Sequence, residues 1–111
     1  MTFDLNTVKA EIEKIYDEVV AIRREIHMYP EVGEQEAETE NRLCKWLDDL
    51  EIPYENHISG HGVCATIYGQ NTDHTVAIRA DIDALPVQEA TGLPYASKTP
   101  GVMHACGHDM H

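Results

Sequence analysis

The chain has 111 residues, of which 42% are hydrophobic, and a formal net charge of −12 at pH 7, a composition typical of one acidic globular domain. Its eight Lys and Arg residues form no basic cluster and no apolar run could cross a bilayer, so neither a nucleic-acid nor a membrane partner is expected. Three cysteines cannot all pair within one chain and the first residues lack a secretion signal, so we expect a reducing, cytoplasmic location.

The first predicted element is an amphipathic helix that ends before Pro30. Its apolar residues recur at steps of three and four and form one stripe: Val8, Ile12, Ile15, Val19, Ile22 and Ile26. Asn6 is the predicted N-cap, and the helix is expected to end near Tyr29 because the residue before a proline avoids helical geometry. His27 lies one residue past the stripe and is interpreted as structural, with a role as a ligand as the less favoured alternative.

A second helix is predicted from about Glu34 to Leu50. Its buried stripe consists of Thr39, Leu43, Trp46, Leu47 and Leu50. Cys44 lies beside this stripe and is interpreted as a packing residue.

A β-hairpin is predicted after Pro53, with strands at 54–58 and 63–68. Glycines on both sides of His61 indicate a tight connection between two antiparallel strands. Cys64 falls in the apolar second strand and is predicted to lie in the core, whereas His57 and His61 are interpreted as hairpin surface rather than ligands.

Residues 75–78 form a short apolar run without alternation, which predicts a strand covered on both faces. This strand would end near Arg79, and Asp81 and Asp83 would then share one side at the end where open α/β sheets place their sites. Acids at a strand end are also common caps and turn formers, and spacing alone favours that interpretation.

The last eleven residues contain the densest group of potential metal ligands. Cys106 and His108 are two residues apart, so both could reach one ion from an extended or looped backbone. A thiolate with an imidazole suits zinc or a neighbouring first-row metal. A zinc site needs at least three protein ligands, so the pair is at most half a site, and a polar tail or ordinary packing is the alternative.

Three segments carry a resemblance to a known family: residues 23–31 (RREIHMYPE), 75–89 (TVAIRADIDALPVQE) and 104–111 (HACGHDMH). In these segments the chain resembles the zinc-peptidase family of aminoacylases and carboxypeptidase G. The similar branch holds hippurate hydrolase, N-acyl-amino-acid amidohydrolases and indole-acetyl-amino-acid hydrolases. The resemblance implies an α/β fold: the N-terminal part of a metallopeptidase catalytic domain, with two helices, then a β-hairpin and a further central strand in a helix-flanked sheet.

The resemblance also implies roles for individual residues. Cys106 and His108 would be metal ligands, and Asp83 would be the catalytic aspartate that orients the metal site. The residues expected to support the ligands or to face the substrate are Asp81, Asp109 and His111. The implied cofactor is a divalent transition metal, with two ions (Zn, Mn, Co or Ni) in each complete site.

The implied reaction is hydrolysis of the amide bond of N-acyl amino acids, such as hippurate or N-acetyl amino acids, by metal-activated water. Members of the resembled family are several times longer, and they supply a general base, further ligands and an inserted lid domain that often forms a homodimer. We therefore expect residues 1–111 to be an N-terminal fragment of the catalytic domain that is inactive alone. The alternatives are an inactive metal-binding module and a redox or nucleophilic role for Cys106.

Overall fold

The computed structural model describes residues 4–111 and contains two helices followed by a small antiparallel sheet. Helix α1 spans Leu5–Met28 and helix α2 spans Ala37–Asp49. Strand β1 spans Tyr54–Ile58, strand β2 spans Gly62–Ala65, and a short 3-10 turn covers His108–Met110. The predicted order of two helices and a hairpin is confirmed. No helix among residues 4–111 is both long and apolar enough to cross a membrane.

The N-cap of helix α1 lies two residues before the predicted cap. Asp4 is the N-cap, because its carboxylate accepts hydrogen bonds from the Asn6 backbone N–H at 3.0 Å and the Thr7 hydroxyl at 2.7 Å. Hydrogen bonds from Thr7 and Asn6 hold the pKa of Asp4 below its ordinary value. The assignment of Asn6 as the cap is therefore wrong, whereas the helix ends at Met28, just before Pro30, close to the predicted end.

The apolar stripe of α1 is covered only toward its C-terminal end. Ile12, Ile15 and Val19 remain 52%, 50% and 52% exposed. Ile22 and Ile26 are half-buried, and His27 is buried. Arg23 and His27 in this last part of the helix contact Asp109 of the 3-10 turn, so α1 contributes a surface for the candidate site rather than the centre of a core.

The hairpin packs against α2, and its register contains a bulge. Tyr54 pairs with Ala65, Glu55 with Cys64 and Ile58 with Gly62, with an irregularity between Glu55 and Ile58. The first strand has its predicted bounds. The second ends at Ala65 because the residues after it have no partner strand among those described, and Cys64 is exposed. The prediction that Cys64 lies in the core is wrong, whereas Cys44 is buried as predicted.

The predicted strand at residues 75–78 is not formed. Val76 is 87% exposed and Ile78 is 94% exposed, and the only sheet within residues 4–111 consists of β1 and β2. A strand needs hydrogen bonds to a neighbouring strand, and nothing in the described part of the chain pairs with this run. An apolar composition alone therefore did not produce the further central strand.

Long-range backbone hydrogen bonds hold residues 84–85, which follow the apolar run, against distant parts of the chain. The Ala84 N–H donates to the Glu31 carbonyl at 2.7 Å, and Leu85 and Met103 exchange hydrogen bonds of 2.9 and 3.0 Å. Ala84 itself is only 3% exposed. These hydrogen bonds bring the residues around Asp83, the loop after α1 and the last eleven residues into one region.

Candidate functional site

Asp83 and His108, which are 25 residues apart in the chain, are in direct contact. Nδ1 of His108 lies 2.9 Å from Oδ1 of Asp83 and 3.0 Å from the Asp83 carbonyl oxygen. Both oxygens are acceptors, so this nitrogen carries a proton, and in the neutral ring Nε2 then keeps its lone pair. A carboxylate that orients a histidine in this way is the usual partner of a metal-binding imidazole.

Asp81 lies on the other side of the same ring. Its Oδ2 is 3.7 Å from Nε2 of His108, and its Oδ1 pairs with Arg79 at 2.5 Å. The negative charge of Asp81 therefore stands close to the nitrogen that has a free lone pair, where it favours a bound cation. The guanidinium of Arg79 balances part of this charge, because it pairs with the same aspartate.

Four of the predicted site residues line one cavity of about 310 Å³, namely Asp81, His108, Asp109 and His111. The imidazole rings of His108 and His111 stack with their centroids 5.9 Å apart. Apolar side chains from both helices and from β2, including Ile26, Leu43 and Val63, form the opposite wall. The structure thus brings together residues from two separate motifs of the sequence.

Cys106 lies on an exposed loop just before Gly107. Gly107 has φ of 89°, a left-handed conformation that turns the chain into the 3-10 turn at His108. Within residues 4–111, no third ligand atom completes a three-residue metal group with Cys106 and His108. The predicted ligand pair is therefore accessible, but these residues do not make a full coordination sphere.

A buried polar network lies behind the 3-10 turn. The Asp109 side chain is 1% exposed, and its Oδ2 lies 3.1 Å from Arg23 Nε and 2.9 Å from His27 Nδ1. The other ring nitrogen of His27 lies 3.2 Å from Oε1 of Glu89, whose side chain is 2% exposed. The burial of His27 between two carboxylates agrees with its interpretation as structural, and the network fastens the turn to α1.

Arg23 and Glu89 belong to this network, but no sequence pattern assigns them a role. Neither residue has a ligand-like spacing, and their partners are 86 and 62 residues away. The signal that could have found them is their position inside the segments RREIHMYPE and TVAIRADIDALPVQE, on which the family resemblance rests.

His104 is buried beside this network. It is 4% exposed, its ring lies 6.4 Å from that of His27, and neither ring nitrogen has a hydrogen-bond partner within residues 4–111. Burial lowers the pKa of His104. Burying an imidazole with two unpaired nitrogens costs free energy. His104 is therefore a buried group next to the site that can still form hydrogen bonds.

Glu89→Gln is expected to reduce the decrease in the free energy of unfolding that the protein shows at acidic pH. Burial raises the pKa of Glu89, but hydrogen bonds from Thr91, from the Ser97 backbone and from His27 outweigh it and hold the pKa below the ordinary 4.5. A carboxylate whose folded pKa is depressed adds stability that is present above its unfolded pKa. That stability is lost as the pH falls through the folded pKa.

Urea unfolding at a series of pH values from 7 down to about 3 would measure this effect, because the slope of stability against pH reports proton uptake on unfolding. The variant should be less stable than the wild type near neutrality. The difference in the free energy of unfolding should narrow below pH 4.5, the ordinary pKa of a glutamate. Glu18→Gln, at an exposed position on α1, is the matched control. A gap that stays constant with pH would contradict the assignment.

Comparison with known proteins identifies similar chains. The profile of peptidase family M20/M25/M40 matches residues 77–111. The chain is 43% identical over 113 residues to the N-acetyl-L-cysteine deacetylase of Bacillus subtilis (strain 168), covering 97% of the chain and 27% of that enzyme. It is 46% identical over 96 residues to the N-acetyldiaminopimelate deacetylase of Listeria monocytogenes serotype 4a (strain HCC23), covering 86% of the chain and 26% of that enzyme.

A solved structure shares the fold. The Bacillus subtilis YXEP protein, described as a dinuclear metal-binding peptidase of the M20 family, superimposes with a TM-score of 0.83 at 44% identity, over 89% of this chain and 28% of that one. The likeness confirms the expected fold class of a metallopeptidase domain. The chain spans about a quarter of the length of the relatives that it matches.

Proposed function

We propose a function from one premise, that this chain belongs to peptidase family M20/M25/M40. The whole protein is proposed to be a metal-dependent amidohydrolase that hydrolyses the amide bond of N-acyl amino acids. Two relatives are named as deacetylases of different N-acetyl amino acids, N-acetyl-L-cysteine and N-acetyldiaminopimelate. Acetyl is therefore the favoured acyl group, and the benzoyl group of hippurate is the alternative.

The observation that carries the proposal is the bond between Asp83 and His108. It orients one imidazole so that Nε2 is free, beside Asp81 and on the wall of a cavity. An exposed thiol at Cys106, two residues away in the chain, supplies a second donor. Thiolate and imidazole together fit zinc or a neighbouring divalent transition metal.

When bound, such a metal would lower the pKa of a water molecule and polarise the scissile carbonyl. The chain's own residues have supporting tasks. Asp83 holds the His108 tautomer, Asp81 adds negative charge beside Nε2, and Asp109 fastens the 3-10 turn to α1. His111 stacks on His108 at the cavity wall and is the proposed contact on the substrate side.

Two donors are too few to hold a catalytic zinc, which takes three protein ligands. We therefore place the remaining ligands and the general base outside residues 1–111, which form an N-terminal part of the catalytic domain. A complete site would then hold two ions, chosen from Zn, Mn, Co and Ni.

The whole protein is expected to deacetylate N-acetyl amino acids and to lose this activity when a chelator removes its metal. Hippurate should be the poorer substrate if acetyl is the preferred acyl group. Residues 1–111 expressed alone should show no turnover, because they supply neither a general base nor enough ligands. Amine release, measured chromatographically on N-acetyl-L-cysteine and hippurate, checks all three expectations.

Circular dichroism should first establish that the isolated chain is folded. Turnover by this chain, with its mass confirmed, would contradict the location of the general base. A metal-loaded whole protein that hydrolyses no N-acyl amino acid would overturn the proposed function itself.

A further inference from the structure

A second group of metal-ligating side chains lies on the hairpin, outside the candidate site. Glu40 Oε2 is 3.1 Å from Nδ1 of His57 and 3.3 Å from Nδ1 of His61. Taking one ligand atom from each residue, all three atoms lie within 4.8 Å of one another. None of the three residues lines the cavity that contains Asp81 and His108.

The backbone of the hairpin brings the two histidines to the same carboxylate. His57 and Ser59 have positive φ values of 57° and 54°, which side-chain-bearing residues rarely adopt, and they lie at the bulge and the turn. Gly62 closes the turn so tightly that a Cβ atom there would lie 2.5 Å from the Ile58 carbonyl oxygen. This unusual tip replaces the regular alternation of a hairpin and makes both rings converge on Glu40.

Glu40 lies on α2, and a backbone group of the hairpin also holds its side chain. The residue is 1% exposed, and its second oxygen accepts a hydrogen bond from the His57 backbone N–H. Glu40 therefore presents a buried carboxylate to two imidazoles.

Each histidine can offer the lone pair of Nδ1 to a cation, because Nδ1 is the ring atom of both that faces Glu40. The ring proton of His57 would then sit on Nε2, and the side-chain amide of Asn56, whose Nδ2 lies 3.3 Å from that nitrogen, would turn its oxygen toward it and accept. The side chain of His57 is 70% exposed and that of His61 31%, so solvent can reach the group and complete the coordination.

We propose that Glu40, His57 and His61 bind one divalent transition-metal ion, separate from the candidate active site. Two imidazoles and one carboxylate form the ligand set of several zinc and non-haem iron sites, and they also suit manganese, cobalt and nickel. The ion joins the hairpin tip to α2. Its binding does not depend on the proposed function.

The test uses Zn²⁺ and the whole protein carrying Cys106→Ser and His108→Ala, which weakens the other site. Equilibrium dialysis with elemental analysis counts the ions per chain in this background and after adding His57→Gln or His61→Gln. Each added substitution should remove about one ion, with an affinity loss beyond the ~10–100-fold typical of changes around a ligand shell. His74→Gln, at an exposed loop position, is the matched control and should change nothing.

The two histidine positions are partly open to solvent, so their substitution should leave the fold intact, and circular dichroism without metal checks this. Zn²⁺ should also raise the thermal midpoint of the background protein, and either histidine substitution should abolish that shift. The proposal is overturned if His57→Gln and His61→Gln keep the ion count and affinity of the background. It is equally overturned if Zn²⁺ does not shift the midpoint, because the group is then only an ion pair.

Discussion

In the whole protein, Cys106→Ser should remove most of the metal from the proposed active site and most of the activity. A serine hydroxyl is a poor ligand at neutral pH, whereas a thiolate binds zinc directly. The affinity should therefore fall by more than the ~10–100-fold that follows a change around the ligands. His108→Ala removes an imidazole donor and should be as damaging. Asp83→Asn leaves both donors and acts through the orientation of His108, so its effect should stay within that ~10–100-fold range.

Elemental analysis after dialysis against a mild chelator, together with deacetylation rates, would measure these effects. Cys64→Ser is the matched control, because Cys64 is also an exposed thiol but lies on β2. The ion count should be compared as a difference from the wild type, since the group around Glu40 would contribute equally to both proteins. Equal metal content and equal activity in wild type and Cys106→Ser would make Cys106 an ordinary loop residue.

Asp109→Ala is expected to cause the largest loss of stability in this part of the protein. The Asp109 carboxylate is the shared partner of Arg23 and His27. Its removal takes this acceptor from the half-buried guanidinium and from Nδ1 of the buried imidazole, which keeps only Glu89 as a partner. Breaking a buried pair by removing one partner costs about 3–5 kcal/mol. Arg23 remains 35% exposed, so solvent replaces part of the lost interaction, and we expect about 3 kcal/mol.

Urea unfolding of the whole protein would measure this loss as a shift of the midpoint at constant slope. Asp17→Ala, on an exposed face of α1, is the control and should stay within about 0.5 kcal/mol of the wild type. Asp109→Asn keeps an uncharged acceptor and should fall between the two. If Asp109→Ala costs no more than Asp17→Ala, the network does not fasten the 3-10 turn to α1.

Local patterns in the sequence determined the regular elements. The apolar period of α1 and the proline after it predicted that helix to within a few residues, because helix formation and termination depend on neighbouring residues. The glycines around His61 likewise predicted β1 with its observed bounds. The cap of α1 was misplaced because Asp4 and Asn6 are both good capping residues, and only the actual backbone geometry chooses between them.

The sequence also identified the family and the candidate site residues, but through the resemblance of whole motifs rather than through spacing. Spacing alone left Asp81 and Asp83 as plausible turn formers and Cys106 with His108 as half a site. The contact between Asp83 and His108 depends on the backbone bonds of Ala84 and Leu85 to distant segments. Such long-range bonds leave no local periodic signal.

Only the tertiary structure determined that residues 75–78 form no strand and that Cys64 is exposed, because strand formation and burial depend on partners far away in the chain. The same holds for Glu40, His57 and His61. Each, taken singly, has the pattern of a surface residue, and no spacing rule joins position 40 to positions 57 and 61. Their convergence arises from a bulge and positive φ angles that pack the hairpin tip onto α2. Local sequence preferences specify where chains bend, whereas the packing of separate elements sets which side chains meet.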